Sequence, residues 1–209
     1  MRRNVTFDSE GLNCAGWLYV PDDLQDGEKR RALVMVHGFS AVKENYLANF
    51  AEKFKEAGFI VLVFSYRYFE DSEDEPRGHL IPAEQHKDYK NAITWISQRS
   101  ELVDPDRIGI WGSSYSGGHV LHLAAFDKRI KVAVAQVPLV NGWGNAQRLM
   151  RPDVFEEFLG ALAHDRAQRY AGEESAKIPV VAPEGEPSAL PTPESYEWFT
   201  HAGETVASN

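Results

Sequence analysis

From Ala32 to Gln136 the chain alternates short apolar, β-branched runs with longer amphipathic stretches. That alternation admits few folds, because strands buried on both faces need helices to cross over and cover them. Ala32-Leu33-Val34-Met35-Val36-His37 is nearly continuously apolar, and Gly38 ends it. Between Tyr46 and Ala57, the residues Leu47, Phe50, Ala51, Phe54 and Ala57 recur at helical spacing, with Gly58 where a left-handed cap belongs. Phe59–Phe64 is the next buried strand. Pro82–Arg99 follows as a helix with Ala92, Trp95 and Ile96 inward. Asp104-Pro105-Asp106 reads as a turn, Arg107–Trp111 as a short strand, Gly117–Phe126 as a helix and Val132–Gln136 as another strand. Ahead of these, Asn4–Asp8 and Cys14–Val20 read as an antiparallel pair joined through Gly11 at a sheet edge. The expected fold class is α/β, a doubly wound and mostly parallel sheet.

After Pro138 the rhythm changes. A Gly- and Asn-rich stretch, Asn141 to Asn145, leads into one long amphipathic segment, Pro152–Tyr170. Pro179, Pro183, Pro187, Pro191 and Pro193 then forbid regular structure through most of a passage that ends in a short helix, Glu194–His201. Residues 1–138 are therefore expected to form the core, and 139–209 a helical and Pro-rich insertion, cap-like, with no further buried strand.

Composition narrows the partners. With 22 Lys plus Arg against 31 Asp plus Glu the net charge is −9, and no basic stripe offsets it. Nucleic acid and an anionic membrane surface are both repelled. No apolar stretch follows Arg2-Arg3, and none elsewhere approaches a membrane span, so a soluble, cytoplasmic protein is expected. The single cysteine, Cys14, excludes an internal disulfide and a thiolate metal cluster, and reads as a small buried apolar residue. No G-x-G-x-x-G or Walker pattern calls for a nucleotide, and no cofactor is expected.

The run Ile108-Gly109-Ile110-Trp111-Gly112-Ser113-Ser114-Tyr115-Ser116-Gly117-Gly118-His119 carries the chemistry. A strand passes through a turn of small residues straight into a helix, the context of a nucleophile elbow. A serine on so sharp a turn has strained backbone angles, so residues two before and two after it must be small. Its place at a helix N-terminus points backbone N–H groups at a developing negative oxygen. Ser114 is at the apex. Gly112 fits the leading position, while Ser116 stands where G-x-S-x-G has its second glycine. A Ser/Gly-rich turn without catalysis, or one binding a phosphate, is the competing reading. The second oxyanion donor in such a site comes from the loop after the earlier buried strand, where His37-Gly38-Phe39 lies. The backbone N–H groups of Phe39 and Tyr115 are the expected donors, with Gly38 allowing close approach and His37 structural.

These residues, with Ser40 to Glu44, the Tyr66-Arg67-Tyr68-Phe69 run, Asp71-Ser72, Glu75-Pro76-Arg77, Asp104 to Gly112, Arg151-Pro152-Asp153 and Ile178-Pro179-Val180-Val181, resemble α/β-hydrolases of the dienelactone-hydrolase-like group. More narrowly they resemble the fungal polyketide transferase family. The resemblance covers nearly the whole chain and implies acyl transfer from a polyketide-type ester or thioester, a small-molecule acyl substrate, or hydrolysis of that bond. Ser114 matches the nucleophile position. The resemblance also implies a catalytic Asp and a catalytic His from a further strand and loop that these 209 residues do not include. A C-terminally truncated chain lacking the last two strands is thus expected, and with it self-association through an exposed sheet edge.

Other histidines are weaker candidates. His119 and His122 form an H-x-x-H pair on the elbow helix, but without an acidic third ligand they read as packing residues, and no metal is expected. His79 follows the acidic run from Glu70 to Glu75, itself read as a solvated loop. His164 and His201 lie in the insertion, and His201 is the candidate surrogate base. A non-catalytic paralogue that keeps the elbow as a binding feature remains the alternative.

Overall fold

The computed structural model describes residues 1–205. They fall into two compact units, Met1–Val140 and Asn141–Thr205.

The first unit is a six-stranded sheet in the order β1-β2-β4-β3-β5-β6. β1 (Arg2–Ser9) and β2 (Leu12–Tyr19) form the antiparallel hairpin, and β2 pairs antiparallel with β4 (Ile60–Phe64). β3 (Arg30–Val36), β4, β5 (Val103–Ser113) and β6 (Ile130–Gln136) run parallel. Alternate residues of the central strands go to opposite faces. Val34, Val36, Leu62, Phe64 and Ile110 join Tyr89, Ile93 and Ile96 of α2 (Pro82–Ser97) and Val120 and Leu123 of α3 (Tyr115–Phe126) in one core. Leu33, Met35, Val61, Val63 and Trp111 meet Leu47 and Ala51 of α1 (Leu47–Glu56) in the other. Both faces of each central strand are covered, which is why these runs read as continuously apolar rather than alternating.

Three local differences from the sequence reading have physical causes. β5 begins at Val103, because Val103 pairs with Arg30 before a register shift. The Asp104-Pro105-Asp106 turn survives only as an irregularity inside that strand, with Asp106 N–H donating to Asp104 Oδ1 at 3.1 Å. α3 starts at Tyr115 rather than Gly117, so helix follows the elbow with no spacer.

The third difference lies in the second unit, where α4 (Gly142–Leu149) forms in the Gly- and Asn-rich stretch. Asn141 caps it, accepting the Gly144 N–H at 2.9 Å. α5 (Pro152–Tyr170) has the expected bounds, but Phe155 is its buried residue, and Val154, Leu162 and Tyr170 are exposed. Phe155 packs edge-on against Trp143 of α4, centroids 5.1 Å apart. α6 (Pro193–Thr205) closes the described chain. The Pro-rich passage before it is held by backbone bonds from Ala189 to Pro179 and from Leu190 to Val180, both 2.9 Å.

Among the described residues no strand follows β6. Within the described residues β6 has β5 as its strand neighbour, and Val132 is 60% and Val134 40% exposed.

Candidate active site

β5 delivers Ser113 at its end, and Ser114 takes φ 55°, ψ −115° before α3 begins. Those angles lie in the left-handed half of φ, costly for a residue with a Cβ. The surroundings hold them. Ser114 N–H donates to Gln136 O at 2.9 Å, and the Ser114 carbonyl accepts from Leu139 N–H at 2.8 Å and Gly118 N–H at 3.2 Å. The turn is thereby stitched to the end of β6. Its glycines are sterically required: a Cβ on Gly112 would come within 2.7 Å of the Ser116 carbonyl carbon, and one on Gly117 within 2.9 Å of Pro138 Cα. At Gly118 it would collide with the Leu139 carbonyl oxygen. Ser114 itself is exposed, presented to solvent by the turn.

The loop after β3 lies against this elbow. A Cβ on Gly38 would sit 3.4 Å from Ser113 O and 3.5 Å from Ser114 Cβ, ordinary contact that brings the loop up against the elbow. The Phe39 and Tyr115 rings meet edge to face, centroids 5.8 Å apart. Tyr115 is the first residue of α3, so its N–H has no acceptor within the helix. The structure thus brings together Ser114, Phe39 and Tyr115, the residues singled out from sequence.

The histidines sort differently. His37 is buried, with Nδ1 3.0 Å from the Gly38 carbonyl and Nε2 3.4 Å from the Tyr66 amide nitrogen. Nδ1 therefore carries the proton and Nε2 accepts. Burial lowers its pKa to about 4, so it is a neutral structural group. His119 is buried too, its Nε2 3.3 Å from Gln85 Oε1 and its Nδ1 2.7 Å from His86 Nε2. Both of its ring nitrogens are committed, and burial followed by repulsion from His86 lowers its pKa to about 3. Neither ring serves Ser114 as a base. His122 stacks on His86, centroids 4.2 Å apart and rings within 10° of parallel. His86, on α2, was missed from sequence, because only the α2–α3 packing brings it to the elbow helix. His79 packs against Tyr68 at 5.5 Å. His164 and His201 are exposed residues of the second unit, on α5 and α6. Among the described residues no group of three His, Cys, Asp or Glu is arranged to hold a metal.

Residues 15–188 match the family described as X-Pro dipeptidyl-peptidase (S15 family). The chain belongs to that family. Among curated relatives of this S15-family chain, the quorum-quenching protein AidA of Acinetobacter baumannii is 34% identical over 94% of the chain and 63% of its own length. The polyketide transferase grgF of a Penicillium species is 33% identical over 88% of the chain and 59% of its own length. The solved structure of the α/β hydrolase GrgF from Penicillium sp. sh18 superimposes with a TM-score of 0.76 at 28% identity, covering 98% of this chain and 66% of that one. The fold is the α/β-hydrolase fold, and the likeness to fungal polyketide transferases read from sequence is borne out. The chain spans about three fifths of the length of these curated relatives.

A second polar cluster in the S15-family chain supports the loop carrying Phe39. Lys43 is 2% exposed, paired with Glu44 at 2.7 Å and in close contact with Glu70. Its backbone N–H donates to Ser65 Oγ at 3.2 Å, and Ser65 Oγ in turn donates to Glu70 at 3.1 Å. Burial, reinforced by a hydrogen bond with Glu70, pushes the Glu44 carboxyl up to about 7. The acidic run read as a solvated loop is thus solvated only in part: Glu70 turns inward to a buried lysine, while Asp71, Asp74 and Glu75 are exposed.

Proposed function

We propose that this chain carries the nucleophile and oxyanion hole of a serine acyl hydrolase or acyltransferase acting on a small polyketide-type ester or thioester in secondary metabolism. Ser114 Oγ attacks the acyl carbonyl, and the backbone N–H groups of Phe39 and Tyr115 receive the oxyanion that forms. The alcohol or thiol leaves with a proton, and water or an acceptor then releases the acyl group from Ser114. The carrying observation is the φ of 55° at Ser114 between β5 and α3, since strain of that kind persists only where the surroundings enforce it. The names of the relatives, a polyketide transferase and a quorum-quenching protein, support acyl chemistry on small molecules.

A hydroxyl at neutral pH attacks poorly without a base. His37 and His119 are committed elsewhere, so His201→Ala is the substitution that asks whether the second unit supplies one. Self-association through β6 is also part of this reading, and a cytoplasmic location fits a protein whose only cysteine is buried.

The experiment is capture by a fluorophosphonate, which modifies only an activated serine. Labelling that disappears in Ser114→Ala supports the assignment, and with it turnover should fall roughly 10³-fold or more. Labelling that survives Ser114→Ala, or none in the parent chain, overturns it and leaves the elbow as a binding feature. Gly38→Val, whose branches would enter the space held by Ser113 and Ser114, tests the oxyanion loop separately.

A further inference from the structure

Ser116 stands where the elbow pattern has its second glycine, and its side chain has a task that glycine lacks. It is fully buried. Its hydroxyl bonds to the His37 carbonyl oxygen, and the Tyr66 hydroxyl lies 3.0 Å from Ser116 Oγ. The directions follow from chemistry. A carbonyl only accepts, so the Ser116 hydrogen goes to His37, and Tyr66 must donate to Ser116. Tyr66 is fully buried and held edge-on by His37 at 5.1 Å, Phe64 at 5.3 Å and His119 at 5.9 Å. Its amide N–H reaches His37 Nε2, so backbone and side chain of one residue approach His37 from two sides.

The bond matters because of which peptide it holds. Fixing the carbonyl of residue 37 fixes the plane of the 37–38 peptide, and the next peptide, which carries the Phe39 N–H, is held in turn through its own carbonyl, Gly38 O, which accepts from His37 Nδ1 at 3.0 Å. Beside it, the Phe39 and Tyr115 rings meet edge to face. The Ser116 hydroxyl is thus a polar tie between the loop and the elbow helix.

We propose that Ser116 is a positioning residue: with Tyr66 behind it, it clamps the His37–Gly38 peptide to α3 so that the Phe39 N–H stays aimed at the oxyanion formed on Ser114. The proposal rests on Ser114 being the nucleophile. Tyr66 acts only through Ser116, so the two form one device rather than two.

The test measures the rate constant for fluorophosphonate capture, together with hydrogen exchange of the 37–39 amides and the thermal midpoint, in the full chain. Ser116→Ala should slow capture roughly tenfold to a hundredfold and speed exchange at those amides. Tyr66→Phe should do the same more weakly. The double variant should match Ser116→Ala alone, a pattern that two independent packing defects would not give. Wild-type capture in a folded Ser116→Ala, or additive losses in the double variant, overturns the clamp. If the parent chain never labels, the nucleophile reading fails, and exchange alone decides the clamp: faster exchange in both single variants supports it, and wild-type exchange overturns it.

Discussion

Gly112 and Ser116 face each other across the elbow so closely that a Cβ on Gly112 would overlap the Ser116 carbonyl group and come within 3.0 Å of Val120 Cγ2. The obstacle is mainly backbone in the first turn of α3, which cannot rotate away. Gly112→Ala is therefore expected to cost about 1–3 kcal/mol of stability through overpacking, and to displace Ser114 as well. Urea unfolding and fluorophosphonate capture, measured together, check it. An unchanged midpoint would mean that the turn relaxes freely.

Ser114 itself stores strain. At φ 55° a non-glycine residue costs about 1–3 kcal/mol, and a glycine there gives back roughly 0.5–1 kcal/mol in chain entropy. Ser114→Gly is expected to be the more stable protein by about 1 kcal/mol, while losing all covalent capture. Because Ser114 is exposed, little packing is lost to obscure the comparison. A destabilised Ser114→Gly would show that the hydroxyl, and not the turn, holds the elbow.

Gly112 and Ser114 were legible in sequence because an elbow is a local object: strand, small residue, serine, small residue, helix. The buried strands were legible for a related reason, since double-sided burial removes the polar residues that would break the run. Ser116 was readable only as small. Its partners, Tyr66 and the His37 carbonyl, come from the ends of other strands and meet it only once β3, β4 and β5 are side by side. His86 escaped for the same reason. Helix α4 left a trace, Asn141 three residues before Gly144, but two glycines in its first turn outweighed that cap as a sequence signal.

Asp88 on α2 is the deepest charge described, fully buried and bonded to Arg67 Nε at 2.9 Å, Arg67 Nη2 at 2.7 Å and Ser9 Oγ at 2.6 Å. It joins the hairpin, the loop after β4 and α2. Asp88→Ala leaves the Arg67 guanidinium buried without its partner, and should cost about 3–5 kcal/mol. Denaturant unfolding of Asp88→Ala beside Arg67→Met/Asp88→Leu separates the penalty of an orphaned charge from the worth of the pair. Near-native stability in the single variant would mean that water reaches Arg67.

Acid should destabilise the fold through its histidines. His37 and His119 have folded pKa values of about 4 and about 3, both lowered first by burial, against about 6.5 when unfolded. Below pH 6.5 the unfolded chain binds protons that the folded chain refuses, so stability falls as pH falls, until the folded rings titrate. Between about pH 6 and 4 the pair contributes up to about 2.7 kcal/mol per pH unit. Urea midpoints across that window, for the parent and for His119→Gln, should differ in slope by about half of that. Parallel slopes would show that His119 is protonated in the folded protein.

The open side of β6 is expected to govern how the chain behaves at concentration. Val132 and Val134 are exposed on the strand, Val137 and Val140 follow at 75% and 72%, and Leu121 and Phe126 of α3 add 45% and 71%. Unpaired N–H and C=O groups beside apolar side chains recruit a further strand, while a net charge of −9 opposes association at low salt and less so when screened. Sedimentation velocity across a concentration series is expected to show association that strengthens with salt. Replacing both Val132 and Val134 with lysine puts charge on the strand itself without touching Ser114 or the His37–Phe39 loop, and should return the chain to a monomer. A parent that stays monomeric throughout would show that the open side of β6 does not recruit a second chain, and a lysine variant that associates as before would show that contacts other than β6 govern association.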